Sequence, residues 1–138
     1  MAKKFLTLKE ARALLPLVED GMERMSKLRD ALALLDSVNQ VYEDNYYTLQ
    51  EYVIRSRRKH KLLYKFYKEL AELMTHGAIV KDLESGLVDF CSHHRGKEIM
   101  LCWKLGEEDI MYWHHIDEGF GGRQSIEALE SDKLDKHC

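Results

Sequence analysis

The sequence of 138 residues lacks any apolar run approaching the ~20 residues that a membrane-spanning helix needs. Residues 1–16 include basic side chains but no apolar segment of signal-peptide length. These two absences exclude the ordinary sequence signatures of a membrane or exported protein. We therefore expect a cytoplasmic protein with no membrane among its partners.

Cysteine and proline are scarce. The three cysteines, Cys91, Cys102 and Cys138, form no C-x-x-C pair, so the sequence suggests neither a zinc ribbon nor a disulfide framework. This cysteine usage favours a reducing compartment. With a single proline, 45% hydrophobic and 33% charged residues, the composition is that of a globular protein that favours helices.

An excess of one charge is also absent. The formal net charge is −3, which argues against a nucleic-acid partner bound through overall charge, although a local basic patch escapes that argument. The length is that of one ordinary domain. We therefore expect residues 1–138 to form a single domain around one core.

A capping box predicts the start of the first helix. Thr7 can accept a hydrogen bond from the amide of Glu10, whose carboxylate can reach back to the amide of Thr7. Apolar residues then recur at three- and four-residue steps over residues 8–35, which is the pattern of a buried helix face. Pro16 lies beyond the first turn, so we predict a kink near residues 12–16.

A second apolar stripe covers residues 42–74, and Gly77 suits the position that follows a helix. Between the two stripes, residues 37–45 include side chains that compete with helical hydrogen bonds, so we predict a turn there. Helices joined by so short a connection pack side by side. We expect a long antiparallel helical hairpin over about residues 7–76.

From residue 78 the hydrophobic period changes from helical to alternating. Four short strands are predicted, at residues 79–83, 87–92, 97–105 and 110–116. We expect a β-meander and a glycine loop over about residues 78–126, and a charged tail over residues 127–138. The predicted fold class is α+β, with the helical hairpin packed on a small antiparallel sheet of three to four strands.

Side-chain alternation assigns two faces to this sheet if four-residue loops pair Ser92 with Lys97 and Leu105 with Ile110. One face should pack on the helices, and it carries Val88, Phe90, Ile99, Leu101, Trp103, Leu105, Ile110, Tyr112 and His114. The other face carries Leu87, Asp89, Cys91, Glu98, Met100, Cys102, Met111, Trp113 and His115. It is too apolar to be simply solvated, so we expect it to pair with another subunit or to line a cleft. A register slip of one residue would exchange these assignments.

Four sequence runs carry a family resemblance: FLTLKEARALLP at the start, then KDLESGLVDF, LCWKLGEEDIMYWH and GFGGR. With these runs the chain resembles the domain-of-unknown-function 2203 family of uncharacterised bacterial and archaeal proteins. The runs cover the first turns of the first helix and nearly all of the sheet. The family has no established activity, so the resemblance implies a shared fold and a shared site but no reaction.

His114 is the residue best suited to chemistry. With Asp89 and Glu107 it could bind one divalent metal ion through imidazole and carboxylate groups. Adjacent strand residues point to opposite faces, so His114 and His115 should not share an ion. His114 is also the candidate general acid or base, and Cys102 a candidate nucleophile. The alternatives are a histidine satisfied in a core or interface and an inert, buried Cys102.

A glycine-rich loop after the last predicted strand is a candidate anion site. Its residues are Gly119, Gly121, Gly122 and Arg123. Successive amides in such a loop can form a concave donor site, and Arg123 adds a fork for phosphate or carboxylate, so a small anionic ligand is one hypothesis. The alternative is a tight turn in which Arg123 pairs with Glu107 or Asp117.

One dense basic run occurs in the second predicted helix. It contains Arg55, Arg57, Arg58, Lys59, His60 and Lys61, with Tyr52, Tyr64 and Tyr67 interleaved. Such a run can bind a nucleic-acid backbone. It can equally be a solvated helix face, and the overall charge favours that interpretation.

These observations give three functional hypotheses. The leading one is a small cytoplasmic binding or interaction module with a pocket at the last strand and glycine loop. The second is a metal-assisted hydrolase that uses His114, Asp89 and Glu107 around one ion, with Arg123 holding an anionic substrate. The third is an RNA-binding accessory protein that uses residues 55–61. We also expect a homodimer, because the second sheet face and the helical seam both retain apolar residues.

Overall fold

The chain opens with two long helices. They are α1 (Leu8–Glu43) and α2 (Leu49–Thr75). The computed structural model describes residues 3–43, 48–118 and 120–131. The capping box forms as predicted, because Thr7 N donates to Glu10 Oε1 at 2.9 Å and Glu10 N donates to Thr7 Oγ1 at 3.1 Å. The helix that begins there continues through Pro16 without interruption.

Two salt bridges between the helices show their relative direction. Arg24 Nε lies 2.9 Å from Glu69 Oε1, and Lys59 Nζ lies 3.1 Å from Asp36 Oδ1. The partner on α2 therefore moves backwards as α1 advances, which confirms the predicted antiparallel hairpin. Within the described residues, no helix is both long enough and apolar enough to span a membrane.

Only one end of the hairpin packs on the core. The buried apolar residues of α1 are Ala11, Leu15, Val18, Met22 and Met25. On α2 the buried residue is Leu73, near the C-terminal end of that helix. We call residues 26–38 and 49–65 the distal hairpin, in which no described side chain is buried. The predicted turn at residues 37–45 is wrong over 37–43, which are helical, and residues 44–47 lie outside the described residues.

Five antiparallel strands follow the helices, in the order β1-β2-β3-β4-β5. The strands β1 to β5 span Ala78–Asp82, Leu87–His94, Lys97–Lys104, Tyr112–His115 and Gln124–Ser125. A 3-10 turn (Phe120–Gly122) precedes β5, and a short helix α3 (Glu127–Ser131) follows it. The α+β class is confirmed. The sheet has five strands rather than three to four, because β5 is too short to produce a sequence alternation.

The turn between β2 and β3 is tighter than predicted. His94 pairs with Lys97, and Arg95 and Gly96 between them have φ angles of 53° and 77°. Positive φ at both central positions is the geometry of a type I′ turn, which matches the twist of the flanking strands. The predicted pairing of Ser92 with Lys97 is therefore wrong by two residues. A shift of two leaves each side chain on its predicted face.

The pairing of β3 with β4 differs from the prediction by one residue, and this error affects the faces of the sheet, whereas the two-residue error between β2 and β3 does not. Met100 pairs with His114, whereas the predicted register places His115 opposite Met100. The shift exchanges the two faces of β4. Tyr112 and His114 lie on the face away from the helices, and Trp113 joins the core at 5% exposure.

Side-chain contacts lengthen the connection between β3 and β4 and so set this register. Trp103 Nε1 donates to the carbonyl of Glu107 at 2.9 Å. The buried Ile110 lies in the connection rather than at the start of β4, and its carbonyl accepts a hydrogen bond from Arg12 Nη2 at 3.1 Å. The predicted four-residue loop is wrong because it leaves no room for these anchors.

Both faces of the sheet are buried within one chain. The face toward the helices contributes Val88, Phe90, Ile99, Leu101, Trp103 and Trp113 to the core. On the other face, Asp89, Cys91, Met100 and Cys102 are each at most 7% exposed. This second face is therefore already covered, and the helical seam is the remaining reason to expect a homodimer.

Candidate metal site

Three neighbouring strands bring one metal-binding side chain each to the second face of the sheet. Asp89 on β2 pairs directly with Cys102 on β3. His114 on β4 pairs with Met100, which is two residues from Cys102 along β3 and lies on the same face. One ligand atom from each of Asp89, Cys102 and His114 lies within 4.8 Å of the other two. All three side chains are buried, and their order along the sheet follows directly from the register.

The imidazole of His114 is held by both of its nitrogens. Nδ1 lies 2.8 Å from the carbonyl oxygen of His115, and Nε2 lies 3.1 Å from Asp89 Oδ2. A carbonyl oxygen only accepts, so Nδ1 carries a proton and donates to it. A neutral ring then has a lone pair on Nε2 that faces the carboxylate. That contact therefore requires either a second proton or a cation beside the ring.

Asp89 has unused binding capacity. Its exposure is 2%, and within the described residues its buried Oδ1 atom has no hydrogen-bond partner. A buried carboxylate oxygen without a partner costs roughly 1–3 kcal/mol, and buried charges are stable only when they are paired or bound to metal. Asp89 thus has an oxygen free for a further bond while its carboxylate lies among the other two donors, so the residues fit a metal ion.

Cys102 is fully buried in the middle of β3. Burial, with a smaller contribution from the negative charge of Asp89, raises the pKa of Cys102 from 9.0 to about 11. The positive charge of Arg123 acts in the opposite direction. A thiol with so high a pKa is a poor nucleophile at neutral pH, whereas metal binding deprotonates a thiol directly. Its environment therefore favours the chemistry of a ligand over that of a nucleophile.

Glu107, which the sequence suggested as a metal ligand, is committed elsewhere. Arg123 Nη2 donates to both of its carboxylate oxygens, at 2.9 and 3.2 Å, and the amide of Lys104 donates to Oε1 at 2.8 Å. The guanidinium of Arg123 also lies over the ring of Tyr112, 4.1 Å from its centroid. Glu107 thus holds Arg123 against the sheet beside Cys102, as the alternative interpretation of the sequence anticipated.

The described part of the candidate anion loop forms a compact turn, and anion binding there stays a prediction. Gly121 and Gly122 lie in a 3-10 turn without positive φ, and Gly119 lies outside the described residues. A side chain at Gly122 would come within 2.8 Å of Glu118 Cβ, so this glycine permits close packing of the loop. The loop therefore brings Arg123 to the sheet, where it pairs with Glu107.

The basic run lies on a different element from these residues. Arg57, Arg58 and Lys61 are exposed on the distal part of α2, and Lys59 pairs with Asp36. The structure thus separates two groups of predicted site residues. Asp89, Cys102 and His114 come together on the sheet, while Arg55 to Lys61 form an independent surface on the helix.

Sequence reasoning considered Cys102 as a nucleophile and missed it as a ligand. The reason is the β3–β4 register, because the predicted pairing placed His114 on the opposite face of the sheet. Asp89 and Cys102 were already assigned to one face. A slip of one residue in β4 was therefore the only change needed to complete the cluster.

A comparison with protein families gives one match. The family model described as "Uncharacterized conserved protein (DUF2203)" matches residues 4–126. No curated protein and no solved structure matches the chain. The matched range includes Asp89, Cys102 and His114, so the candidate site lies wholly inside the family region.

Proposed function

The chain belongs to the DUF2203 family of uncharacterised conserved proteins, and we propose that it is a metal-binding module that holds one divalent transition-metal ion between Asp89, Cys102 and His114. The observation that carries this proposal is the convergence of three buried donor atoms within 4.8 Å of one another. The orphaned Oδ1 of Asp89 supports it independently. No other function is supported by two observations of this kind.

The donor set favours zinc. One thiolate, one imidazole and one carboxylate form a borderline-soft set of the type that zinc binds. Zinc bonds of roughly 2.0–2.3 Å in a tetrahedron place ligand atoms roughly 3.3–3.8 Å apart. The ligand atoms are now separated by up to 4.8 Å, and side-chain rotations that move them by about 1 Å bring them into that range. A cobalt or iron ion of the same charge would meet the same donors.

Charge balance also supports a divalent ion. The carboxylate of Asp89 and the thiolate of Cys102 together neutralise a charge of two, so the loaded site leaves no net charge in a buried region. His114 contributes Nε2 as a neutral ligand. Its Nδ1 keeps its proton and donates it in a hydrogen bond to the carbonyl of His115, which is the outer contact that orients metal-bound histidines.

Binding is a better description of this site than hydrolysis. Three protein donors leave the fourth position of a tetrahedral ion open, and in a hydrolytic site substrate must be able to reach that position. Here the three donor residues are at most 4% exposed, and Arg123 is already engaged by Glu107. Since the site needs a reduced thiol, the proposal also places the protein in a reducing compartment such as the cytoplasm.

The test is metal titration of the purified, chelator-treated chain under reducing conditions. We expect one Zn²⁺ per chain and a higher melting temperature with metal than without it. Cobalt in place of zinc should give a thiolate charge-transfer band in the near ultraviolet. Cys102→Ala should abolish the band, and His114→Ala should weaken binding by at least tenfold.

Matched controls separate the site from general effects on folding. Cys91→Ala removes the other buried cysteine of the same face, and His93→Ala removes an exposed histidine of β2. Both variants should retain the stoichiometry and the cobalt band. Absence of specific binding by the folded native chain, or equal binding by the Cys102 and Cys91 variants, would overturn the proposal.

A further inference from the structure

A second candidate site lies on α2, far along the chain from the metal ligands. Residues 55–68 include many basic residues and no acidic residue, although the whole chain has a net charge of −3. The basic residues are Arg55, Arg57, Arg58, Lys59, Lys61, Lys65 and Lys68. This local excess of positive charge creates a positive electrostatic field on α2, although the net charge of the chain is negative.

The helical period arranges the central part of this excess as a stripe. Residues 57, 61, 64 and 68 follow one another at three- and four-residue steps and all are exposed. The opposite side of the same helix carries Leu62, Phe66 and Leu70, which are partly buried. From residue 57 to residue 68 the stripe is about 16 Å long at 1.5 Å per residue, enough to span several phosphates of an extended strand.

The cations of this surface are not neutralised by the protein. Arg57, Arg58, Lys61, Lys65 and Lys68 form no ion pair within the described part of the chain. Two described acidic residues near this surface, one on each helix, have other partners. Asp36 pairs with Lys59, and Glu69 pairs with Arg24. The field is therefore directed to solvent.

Exposed tyrosines lie among these cations. Tyr64 is 68% exposed and Tyr67 is 61% exposed. An exposed aromatic ring beside cations offers a flat apolar face to a ligand. Unpaired nucleic-acid bases can stack on such a face. Alternating cations and exposed aromatic rings are the combination with which proteins bind single-stranded nucleic acid.

We propose that the exposed side of α2 centred on the stripe of Arg57, Lys61, Tyr64 and Lys68, with Lys65 and Tyr67 on its flanks, binds single-stranded nucleic acid. The cations contact successive phosphates, and the two tyrosines stack on unpaired bases. An anionic membrane surface is less well matched, because the aliphatic residues within 55–68 are Leu62 and Leu63, and both are partly buried rather than fully exposed. This surface shares no residue with the metal site, so the two proposals are independent.

The test is a fluorescence-anisotropy titration of the full chain with labelled oligo(U) and oligo(dT) at several salt concentrations. Binding to either oligonucleotide should weaken steeply with salt, with a log–log slope of roughly −2 to −4 for three to five phosphate contacts on a single strand. Arg57→Glu with Lys61→Glu and Lys68→Glu should reduce affinity by more than tenfold and flatten the slope. Tyr64→Ala should reduce affinity by roughly fivefold or more without changing the slope.

The matched control reverses the same number of exposed cations elsewhere, with Lys9→Glu, Lys27→Glu and Lys97→Glu. Circular dichroism checks that both triple variants retain their helices. If the control loses as much affinity as the α2 variant, the effect is one of net charge and the proposal is overturned. Binding to vesicles that contain anionic phospholipid, without binding to either oligonucleotide, would overturn it in favour of a membrane surface.

Discussion

Asp89 and His114 lie on strands that are not neighbours, yet Asp89 Oδ2 and His114 Nε2 are 3.1 Å apart. The contact crosses β3 on the face where Cys102 is buried. Because both partners are at most 4% exposed, each depends on the other for its charge and hydrogen bonding. This pair therefore links the stability of the sheet to the proposed metal site.

Removing either partner should destabilise the metal-free chain strongly. His114→Ala leaves the buried carboxylate of Asp89 without its hydrogen-bond partner, and Asp89→Ala leaves Nε2 of the ring without its partner. We expect each to lower the free energy of unfolding by roughly 3–5 kcal/mol in the presence of chelator. The double variant should lose less than the sum of the two, by roughly 1–3 kcal/mol. Urea denaturation measures all four chains, and additive losses would contradict a coupled pair.

The raised pKa of Cys102 predicts how stability changes at alkaline pH. The thiol is protonated in both states below pH 9, so its contribution is complete there. Between pH 9.0 and about 11 the unfolded chain ionises first, and the free energy of unfolding should fall by roughly 1–3 kcal/mol. Cys102→Ala should remove most of this decline in the presence of chelator.

Cys91 provides the control for that measurement. Burial also raises the pKa of its thiol, but Cys91 is not one of the three residues of the ligand cluster. Cys91→Ala should therefore keep the larger part of the alkaline decline. A decline of the same size in the native chain and in Cys102→Ala would show that other groups, such as tyrosines, cause it.

The elements that could be predicted from the sequence are those with a local signal. Thr7 and Glu10 mark the start of α1 because a capping box needs only neighbouring residues. The helical hairpin and the face shared by Asp89 and Cys102 follow from periodicity in the same way. Each of these predictions uses residues close together in the chain.

The register of β4 could not be predicted because it depends on contacts between distant side chains. The carbonyl of Ile110 is held by Arg12, which is far away in the sequence, and Trp103 is anchored on the carbonyl of Glu107. These anchors decide whether His114 or His115 faces Cys102. A fold can thus be predicted correctly while a site within it is assigned to the wrong face.

Two glycines with similar backbone geometry should respond differently to substitution. Gly86 has φ of 73°, and a Cβ there would lie 2.5 Å from Leu105 Cβ. Gly96 has φ of 77° with no atom within 4 Å of an added Cβ. We expect Gly86→Ala to lower the free energy of unfolding by roughly 2–4 kcal/mol and Gly96→Ala by about 1 kcal/mol. Equal losses in thermal or urea unfolding would show that backbone strain alone is responsible.

Exposed apolar side chains on the distal hairpin predict that the chain associates with a second copy of itself. Leu34, Leu49 and Ile54 are 68%, 75% and 50% exposed, and apolar helix faces of this kind pack against further helices in bundles. We expect a homodimer by light scattering, and Leu49→Asp should shift it toward the monomer. Met111→Asp, at a position 43% exposed on the sheet connection, is the control and should leave the mass unchanged. A monomer at all concentrations would contradict the prediction.

The salt bridge between Glu107 and Arg123 should raise the zinc affinity of the proposed metal site. Arg123 contributes positive charge beside Cys102, and Glu107 compensates it at 2.9 Å. Glu107→Gln removes that compensation, so the arginine then repels a bound cation more strongly. Loss of this negative charge near the site should therefore weaken zinc affinity by roughly tenfold or more.

Asp109→Asn offers the comparison that isolates this effect. Asp109 forms a salt bridge with Arg12 at 3.0 Å from the same connection between β3 and β4, and Asp109 is not one of the ligand-cluster residues. Both variants lose one carboxylate charge from the same loop. If proximity to Cys102 is what matters, zinc affinity measured with a competing chelator should fall in Glu107→Gln and remain near the native value in Asp109→Asn. Equal losses would instead indicate that the loop acts on the site only through its overall stability.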